Sequence, residues 1–314
     1  MVILNYMEPV NLKQETRDGY TIDTKMKAVW NIQLTMFQRL IDVCKAHGLR
    51  LWCDGGTLLG AIRHHGYIPW DDDIDIVMPR PDYDQLIKLA DEFGPRFFLQ
   101  SVYTDPYYIR GHAQLRCNGT TCVRPSESYR KFHQGIFVDI FPIDGVPEDI
   151  AARKTLVKTT RHDIRRLKAA ELNILYSGRW GQVFRRISIR HTLAKCGRQN
   201  YFKPIEDRLR ANRVENSDHW AEITIDGDKF VFDRHIFDKT LWVPFENMQV
   251  PVPAGYDEFL RTQYGPNYMT PIHAANNHGT VVISTTEDYR ELAPKVFKEY
   301  KRSALSRLLK KLKH

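Results

Sequence analysis

The sequence predicts an α/β (α+β) protein, a mixed sheet flanked by helices, and three observations carry that expectation. Up to about residue 148, stretches with apolar residues at helical spacing alternate with short alternating or wholly apolar runs that read as strands. A basic stretch with helical patterning, roughly 149–215, then interrupts the alternation, and short strands and turns return from 220 to 262. Apolar residues make up 42% of the 314 and charged residues 27%, which suits one large globular domain with a helical annex.

In chain order, Val29, Ile32, Met36, Leu40 and Val43 mark an amphipathic helix over about 24–47, stopped at His47-Gly48. "LRLWCD" follows as a short strand, and "GGTLLGAIR" as a glycine turn running into a short helix. "DIDIVM" alternates as a strand does, and Asp82 is expected to cap a helix running from near Tyr83 to Glu92. "RFFLQSV", "YIRGHAQLRC" and "TTCVR" read as further strands, and "GIFVDIFPIDGVP" as an apolar strand closed by proline and glycine turns. The last 25 or so residues form a basic amphipathic helix, broken near Pro294, with Leu305, Leu308, Leu309 and Leu312 along one side. The expected organisation is a catalytic core over 1–148, a basic helical insertion over 149–215, the rest of the catalytic domain over 216–290 and a C-terminal helix over 291–314.

Charge is unevenly placed. Residues 151–215 carry 17 Lys and Arg against five acids, within a chain of net charge +8. Such a module points to an anionic partner: nucleic acid, phospholipid headgroups or a phosphorylated substrate, with a merely solvated helix surface as the plain alternative. No aromatic-rich RNA-binding string accompanies it, so nucleic acid is not the expected partner. No run approaches the roughly 18 apolar residues of a membrane span, and the first twenty residues lack the layout of a signal peptide. The five irregularly spaced cysteines suit reduced thiols. A cytoplasmic protein is expected, with the basic segments able to touch the inner face of the membrane.

The stretch "PWDDDID" crowds four carboxylates into residues 71–75. On a strand, Asp71, Asp73 and Asp75 point to one side, while Ile74 and Ile76 point into the core. Asp72 shares the parity of the isoleucines, so the strand is expected to begin just after it. Two carboxylates about 6–7 Å apart on one face suit a hard divalent cation: magnesium, with manganese as the alternative. Gly55, Gly56 and Thr57 open a helix after a strand, where backbone amides approach an anion closely, and Arg63 lies two turns on as a candidate phosphate ligand. Asp139 is a lone acid in an apolar strand and needs a partner; a metal shared with Asp73 and Asp75 supplies one. Cys117 and Cys122, with His112 and His133 nearby, match no tight zinc knuckle and are read as reduced thiols. His273 and His278 are loop histidines that could reach phosphates or an acceptor.

Strand, glycine pair, helix, DxD strand and a later strand with a third acid together resemble the nucleotidyltransferase superfold. The longer string "DGGTLLGAIRHHGYIPWDDDIDIVMPRPDY" resembles the signature of the LicD family, phosphocholine transferases of bacterial surface glycans whose animal relatives include fukutin and fukutin-related protein. "GIFVDIFPIDGVP" resembles the family's second block, and "FEN…VPVPAGYDEFLRTQYGPNYMTP" its looser C-terminal block. The resemblance implies a magnesium-dependent transferase that moves phosphocholine, or a related alcohol phosphate, from CDP-choline or another CDP-alcohol. The acceptor would be a sugar hydroxyl of a glycan such as lipopolysaccharide or teichoic acid, or of its lipid-linked precursor, and CMP would leave. It implies Asp73 and Asp75 as metal ligands, Asp71 as a further acid on that face, and Asp139 as third ligand or proton acceptor. Gly55, Gly56 and Thr57 would hold the donor phosphates, and Arg63 would offset their charge. The competing readings are a nucleotidyltransferase acting on RNA or a small acceptor, and a non-catalytic protein that binds phosphorylated headgroups.

Overall fold

Asp18 (φ 48°) and Gly19 (φ 74°) turn a short hairpin between β1 (Glu15–Arg17) and β2 (Tyr20–Ile22), the left-handed pair that a two-residue hairpin turn requires. The computed structural model that shows this describes residues 11–171, 180–272 and 281–311. Helix α1 (Thr24–Ala46) follows, its first turn capped by Asp23, whose carboxylate accepts from the Met26 amide at 2.7 Å. It lays Trp30, Leu34, Phe37 and Ile41 against the core.

Next come β3 (Trp52–Cys53), α2 (Gly55–Arg63), β4 (Asp75–Pro79) and α3 (Arg80–Lys88). Helix α3 starts at Arg80-Pro81, before the expected position, because proline suits the first turn of a helix. Asp82 therefore lies inside that turn and takes the Arg50 guanidinium at 2.7 Å instead of capping. Beyond a 3-10 turn lie β5 (Phe97–Gln100), β6 (Ala113–Cys117), β7 (Thr121–Val123) and β8 (Phe137–Gly145). Strand β6 is shorter than "YIRGHAQLRC" suggests: residues 108–112 form a loop, in which Gly111 packs so close to Thr224 that a Cβ would lie 2.7 Å from it.

Among the described residues, seven strands form the main sheet, organised around the nine-residue β8. Strand β4 pairs with β8 in parallel, and β3 extends the sheet beyond β4. Strand β6, itself paired to β5, runs antiparallel to the first half of β8. The last two residues of β8 pair with β9 (His219–Ala221), which in turn pairs with β10 (Phe232–Asp233). This is the mixed sheet the sequence predicts, and the α/β class holds.

Helices α4 (Ile150–Ala170) and α5 (Val183–Arg210) supply the basic module and pack on each other through Ile164, Leu167, Phe202 and Ile205. Gly197, with φ 77°, kinks α5. A buried ionic cluster ties α5 to the sheet. Arg80 donates twice to Asp144 of β8, at 2.6 and 3.0 Å, and lies 3.6 Å from Glu206; Arg210 grips Asp84 and Glu206. The hairpin β11 (Thr240–Phe245) and β12 (Met248–Pro253), helix α6 (Tyr256–Tyr264), β13 (Val282–Ser284), paired to β7, and α7 (Tyr289–Lys311) complete the chain. Helix α7 runs through Pro294 without the expected break; Ala293 and Val296, on either side of it, are held against Val123. The side chains of Leu305, Leu308, Leu309 and Leu312 lie outside the described residues. No helix among the described residues is long and apolar enough to cross a membrane.

Candidate active site

Ile74 and Ile76 are fully buried, and each contributes roughly 2 kcal/mol by leaving water. Their burial fixes the register of β4, since a slip of one residue would exchange the isoleucines for the acids between them. Asp75 is then the register partner of Asp139 on β8, and Asp139 is the partner of Gln114 on β6. On the other side of β4, the Asp54 amide donates to the Asp75 carbonyl at 2.9 Å. Asp54, Asp75, Asp139 and Gln114 thus form one row across four strands or strand ends.

Asp73 joins the row from just before β4. Carboxylate oxygens of Asp73, Asp75 and Asp139 lie within 4.8 Å of one another, the convergence expected from the sequence. Asp71, Asp72 and Asp73 form a second such group. The strand was expected to begin just after Asp72; β4 begins at Asp75, so Asp72 does lie outside it, and it lines the same small cavity as Asp139.

The glycine pair meets these acids directly. Gly55 has φ 50°, and a Cβ on it would lie 3.5 Å from an Asp75 oxygen; one on Gly56 would lie 2.5 Å from an Asp71 oxygen, closer than real contacts allow. Only glycine lets the N-terminus of α2 come this near the carboxylates. Thr57 is buried, and its hydroxyl accepts from the Asp75 amide at 2.8 Å, pinning β4 to α2. Arg63 is not brought to the acids. It sits in the last turn of α2 and donates to the Tyr268 carbonyl at 2.7 Å, tying down the segment after α6.

Electrostatics follow from the crowding. Burial first, then the charges of Asp73, Asp139, Asp54 and Asp71, push Asp75 well above the usual carboxylate range. Burial also pushes Asp139 up, but His112, Arg110 and Gln114 outweigh it and hold Asp139 below that range. The two neighbours therefore shift in opposite directions, the expected outcome when like charges share a site and one has cationic and hydrogen-bonding neighbours. Gln114 donates to Asp139 at 2.5 Å while its own oxygen accepts from Arg116, so the buried Arg116 orients the amide that orients the acid.

Several of these residues escape sequence reasoning. His112 lies 3.2 Å from Asp139, with burial lowering its pKa. Arg110, His112 and Arg124 line a cavity of about 240 Å³ that abuts Asp72 and Asp139. Asp54 is pushed up to about 6 and Glu222 well above its ordinary value, burial being the largest cause for both, and the two share a hydrogen bond. Tyr264 stands 46% exposed with its hydroxyl close to Gly55, whereas Tyr108 is wholly buried. Cys117 and Cys122 are free thiols, and burial pushes Cys122 up to about 12. Among the described residues neither cysteine joins a group able to hold a metal. His133 bonds Asn118 and the Gly135 amide. His273 and His278 lie outside the described residues.

Comparison with known proteins agrees with these blocks. Residues 48–170 match the family model described as LicD/FKTN/FKRP, nucleotidyltransferase domain, so the LicD-family resemblance of the motifs holds. The chain is 26% identical over 235 residues to lipopolysaccharide cholinephosphotransferase LicD of Haemophilus influenzae, covering 72% of this chain and 84% of that protein. An uncharacterized protein of Rickettsia prowazekii is 36% identical over 142 residues, 44% of this chain and 48% of its own. Ribitol 5-phosphate transferase FKRP of Homo sapiens is 51% identical over 37 residues, 12% of this chain and 8% of that protein. The named relatives are transferases of alcohol phosphates, and the similarity supports a phosphotransferase.

Proposed function

We propose that the chain transfers phosphocholine, or a related alcohol phosphate, from a CDP-alcohol to a sugar hydroxyl of a cell-surface glycan or its lipid-linked precursor, releasing CMP. The observation that carries this reading is the convergence of Asp73, Asp75 and Asp139 against the Gly55-Gly56 start of α2, in a chain similar to a cholinephosphotransferase and a ribitol 5-phosphate transferase.

A divalent ion fits the residues present. The donor set is three carboxylates and no sulfur or imidazole, the set that suits magnesium or manganese, and Asp75 is unfavourable as an anion without a counter-charge. Asp73, Asp75 and Asp139 would hold it, and when bound it would neutralise charge on the donor's phosphate oxygens.

The protein's own groups do the rest by positioning. The glycine pair leaves room beside the carboxylates for donor phosphates, and the N-terminus of α2 favours their negative charge. Arg110 and Arg124 line the adjoining cavity and offset further charge. The acceptor hydroxyl attacks the phosphorus that bears the alcohol; its oxygen–phosphorus bond forms as the bond to the CMP oxygen breaks. The hydroxyl proton passes to a carboxylate oxygen of Asp139, which the Gln114–Arg116 pair holds in place. Such a transfer needs alignment and charge neutralisation more than a strong base.

The test is incubation with CDP-choline, CDP-ethanolamine, CDP-ribitol and CDP-glycerol plus Mg²⁺, with and without cell-envelope glycan, reading CMP release. Glycan-stimulated release from one of the four supports the reading. Silence from all four, with release from a nucleotide sugar, replaces it with glycosyl transfer.

A further inference from the structure

A second cavity, of about 890 Å³, adjoins the small one, and the two share Arg110, His112, Arg124, Glu127 and Ile225. They form one recess whose narrow end abuts Asp72 and Asp139. The wide end is walled by the basic helices α4 and α5, the module whose charge the active-site carboxylates do not explain. Among the described residues its lining carries Arg110, Arg124, Arg130, Arg165, Lys168 and Arg185, against Glu127 as the one carboxylate.

Glu127 is already committed to Arg130 at 3.0 Å and Arg110 at 3.5 Å. Arg124, Arg165, Lys168 and Arg185 make no ion pair with a described residue. Two buried polar atoms at the wall, Arg130 Nε and Thr224 Oγ1, have no hydrogen-bond partner among the described residues. Burial and then the neighbouring Arg110 push the Lys168 ammonium down, against the opposing pull of Glu127. A solvated helix surface spreads like charges outward. Here they converge on a concave wall, where the field is focused.

We propose that the wide end is the acceptor subsite and that the acceptor is an anionic sugar, bearing a phosphate or carboxylate near the hydroxyl that receives the alcohol phosphate. The word acceptor rests on the phosphotransferase reading above; the anion site does not. Donor phosphates belong at the narrow end, beside the carboxylates, with Arg110 and Arg124 within reach. Arg130, Arg165, Lys168 and Arg185 line the wide end alone and are left for a second anion. The volume falls within the range of about 300–1,000 Å³ that small-ligand sites occupy.

The experiment is calorimetric titration of the full chain, in EDTA, with glucose 6-phosphate, glucuronate and glucose. It is repeated with Arg165→Ala/Lys168→Ala, with the exposed-position variant Arg185→Glu, and with Asp73→Asn. At least one anionic sugar binds without metal while glucose does not, and which one binds tells phosphate from carboxylate. Its affinity falls at least tenfold in the double variant and severalfold in Arg185→Glu, which keeps the reading testable if the double variant does not fold, and is unchanged in Asp73→Asn. Equal binding of glucose and both anions, or affinity indifferent to Arg165, Lys168 and Arg185, overturns the proposal. So does CDP-choline displacing the sugar competitively and losing its own affinity in the same cavity variants, since the cavity then belongs to the donor. A protein that binds the anionic sugar as described yet releases no CMP from any CDP-alcohol retains the anion site and loses the phosphotransferase reading.

Discussion

Asp75 and Asp139 are register partners across the parallel pair β4–β8, so two carboxylates 64 positions apart in sequence leave the same face of the sheet side by side. In the absence of a cation their proximity is a cost, and removing one charge relieves it. Asp75→Asn is expected to raise the melting temperature in EDTA by a few degrees, roughly the shift of 1 kcal/mol in a chain of this size. The same variant should lose the stabilisation that Mg²⁺ gives the wild type, and its CMP release should fall on the order of 100-fold or more. Differential scanning fluorimetry with and without Mg²⁺ reads the first two effects. A variant destabilised in EDTA contradicts the repulsion argument.

Gly56 is the closest approach of backbone to acid. A Cβ there would meet the Asp71 carboxylate at 2.5 Å, so Gly56→Ala must displace Asp71 or tilt α2. The expected outcome is a folded protein, destabilised by about 1–2 kcal/mol, with activity reduced at least as much as by Asp71→Asn. Urea denaturation and CMP release measure the two. Full activity in Gly56→Ala would show that Asp71 has no need to sit where it does.

Arg80 and Asp144 form a buried, doubly hydrogen-bonded pair beneath α5. Breaking one side leaves the other charge stranded, so Arg80→Met is expected to cost about 3–5 kcal/mol, and Arg80→Met/Asp144→Leu much less than the sum of its single changes. A double-mutant cycle by chemical denaturation tests this; additive losses contradict it.

His133 gives a pH signature. Its Nδ1 accepts from the Gly135 amide at 3.1 Å, and its other nitrogen faces the Asn118 side-chain oxygen at 2.9 Å, so the neutral ring with the proton on Nε2 fits both. Burial, then Arg116, pushes its pKa down to about 3. The unfolded ring takes a proton near pH 6.5 while the folded one resists. Stability from this residue is therefore complete above pH 6.5 and lost as pH falls from 6.5 towards 3, at up to about 1.4 kcal/mol per pH unit. Denaturation midpoints from pH 7 to 4 should fall less steeply in His133→Asn than in the wild type. Parallel slopes would refute the assignment.

The acids were legible because their signals are local. Ile74 and Ile76 set the face of Asp75 by alternation alone, and Asp139 stands out as one charge among Ile136, Phe137, Val138, Ile140 and Phe141. Alternation also placed Asp72 outside the strand, and β4 begins beyond it, at Asp75. At Arg63, helix spacing reports the face of α2 and not what comes to meet its far end, the carbonyl of Tyr268. Arg110 and His112 were hidden because their loop is shaped by contacts with α4 and with Thr224, far away in sequence, and Arg124 because it follows β7 and meets them only across the cavity. The Asp54–Glu222 pair was hidden for the same reason: it joins the end of β3 to the loop after β9, and nothing local marks either acid.

The central claim is that Asp73, Asp75 and Asp139 act together on one divalent ion. Mn²⁺ titration followed by electron paramagnetic resonance, on the wild type and on Asp73→Asn, Asp75→Asn and Asp139→Asn, tests it most directly. The account predicts bound Mn²⁺ in the wild type and an affinity at least tenfold weaker in each of the three variants, with all three folded by circular dichroism. Wild-type affinity retained in Asp139→Asn would contradict it, since the parallel pairing of β4 and β8 would then have no part in holding the ion.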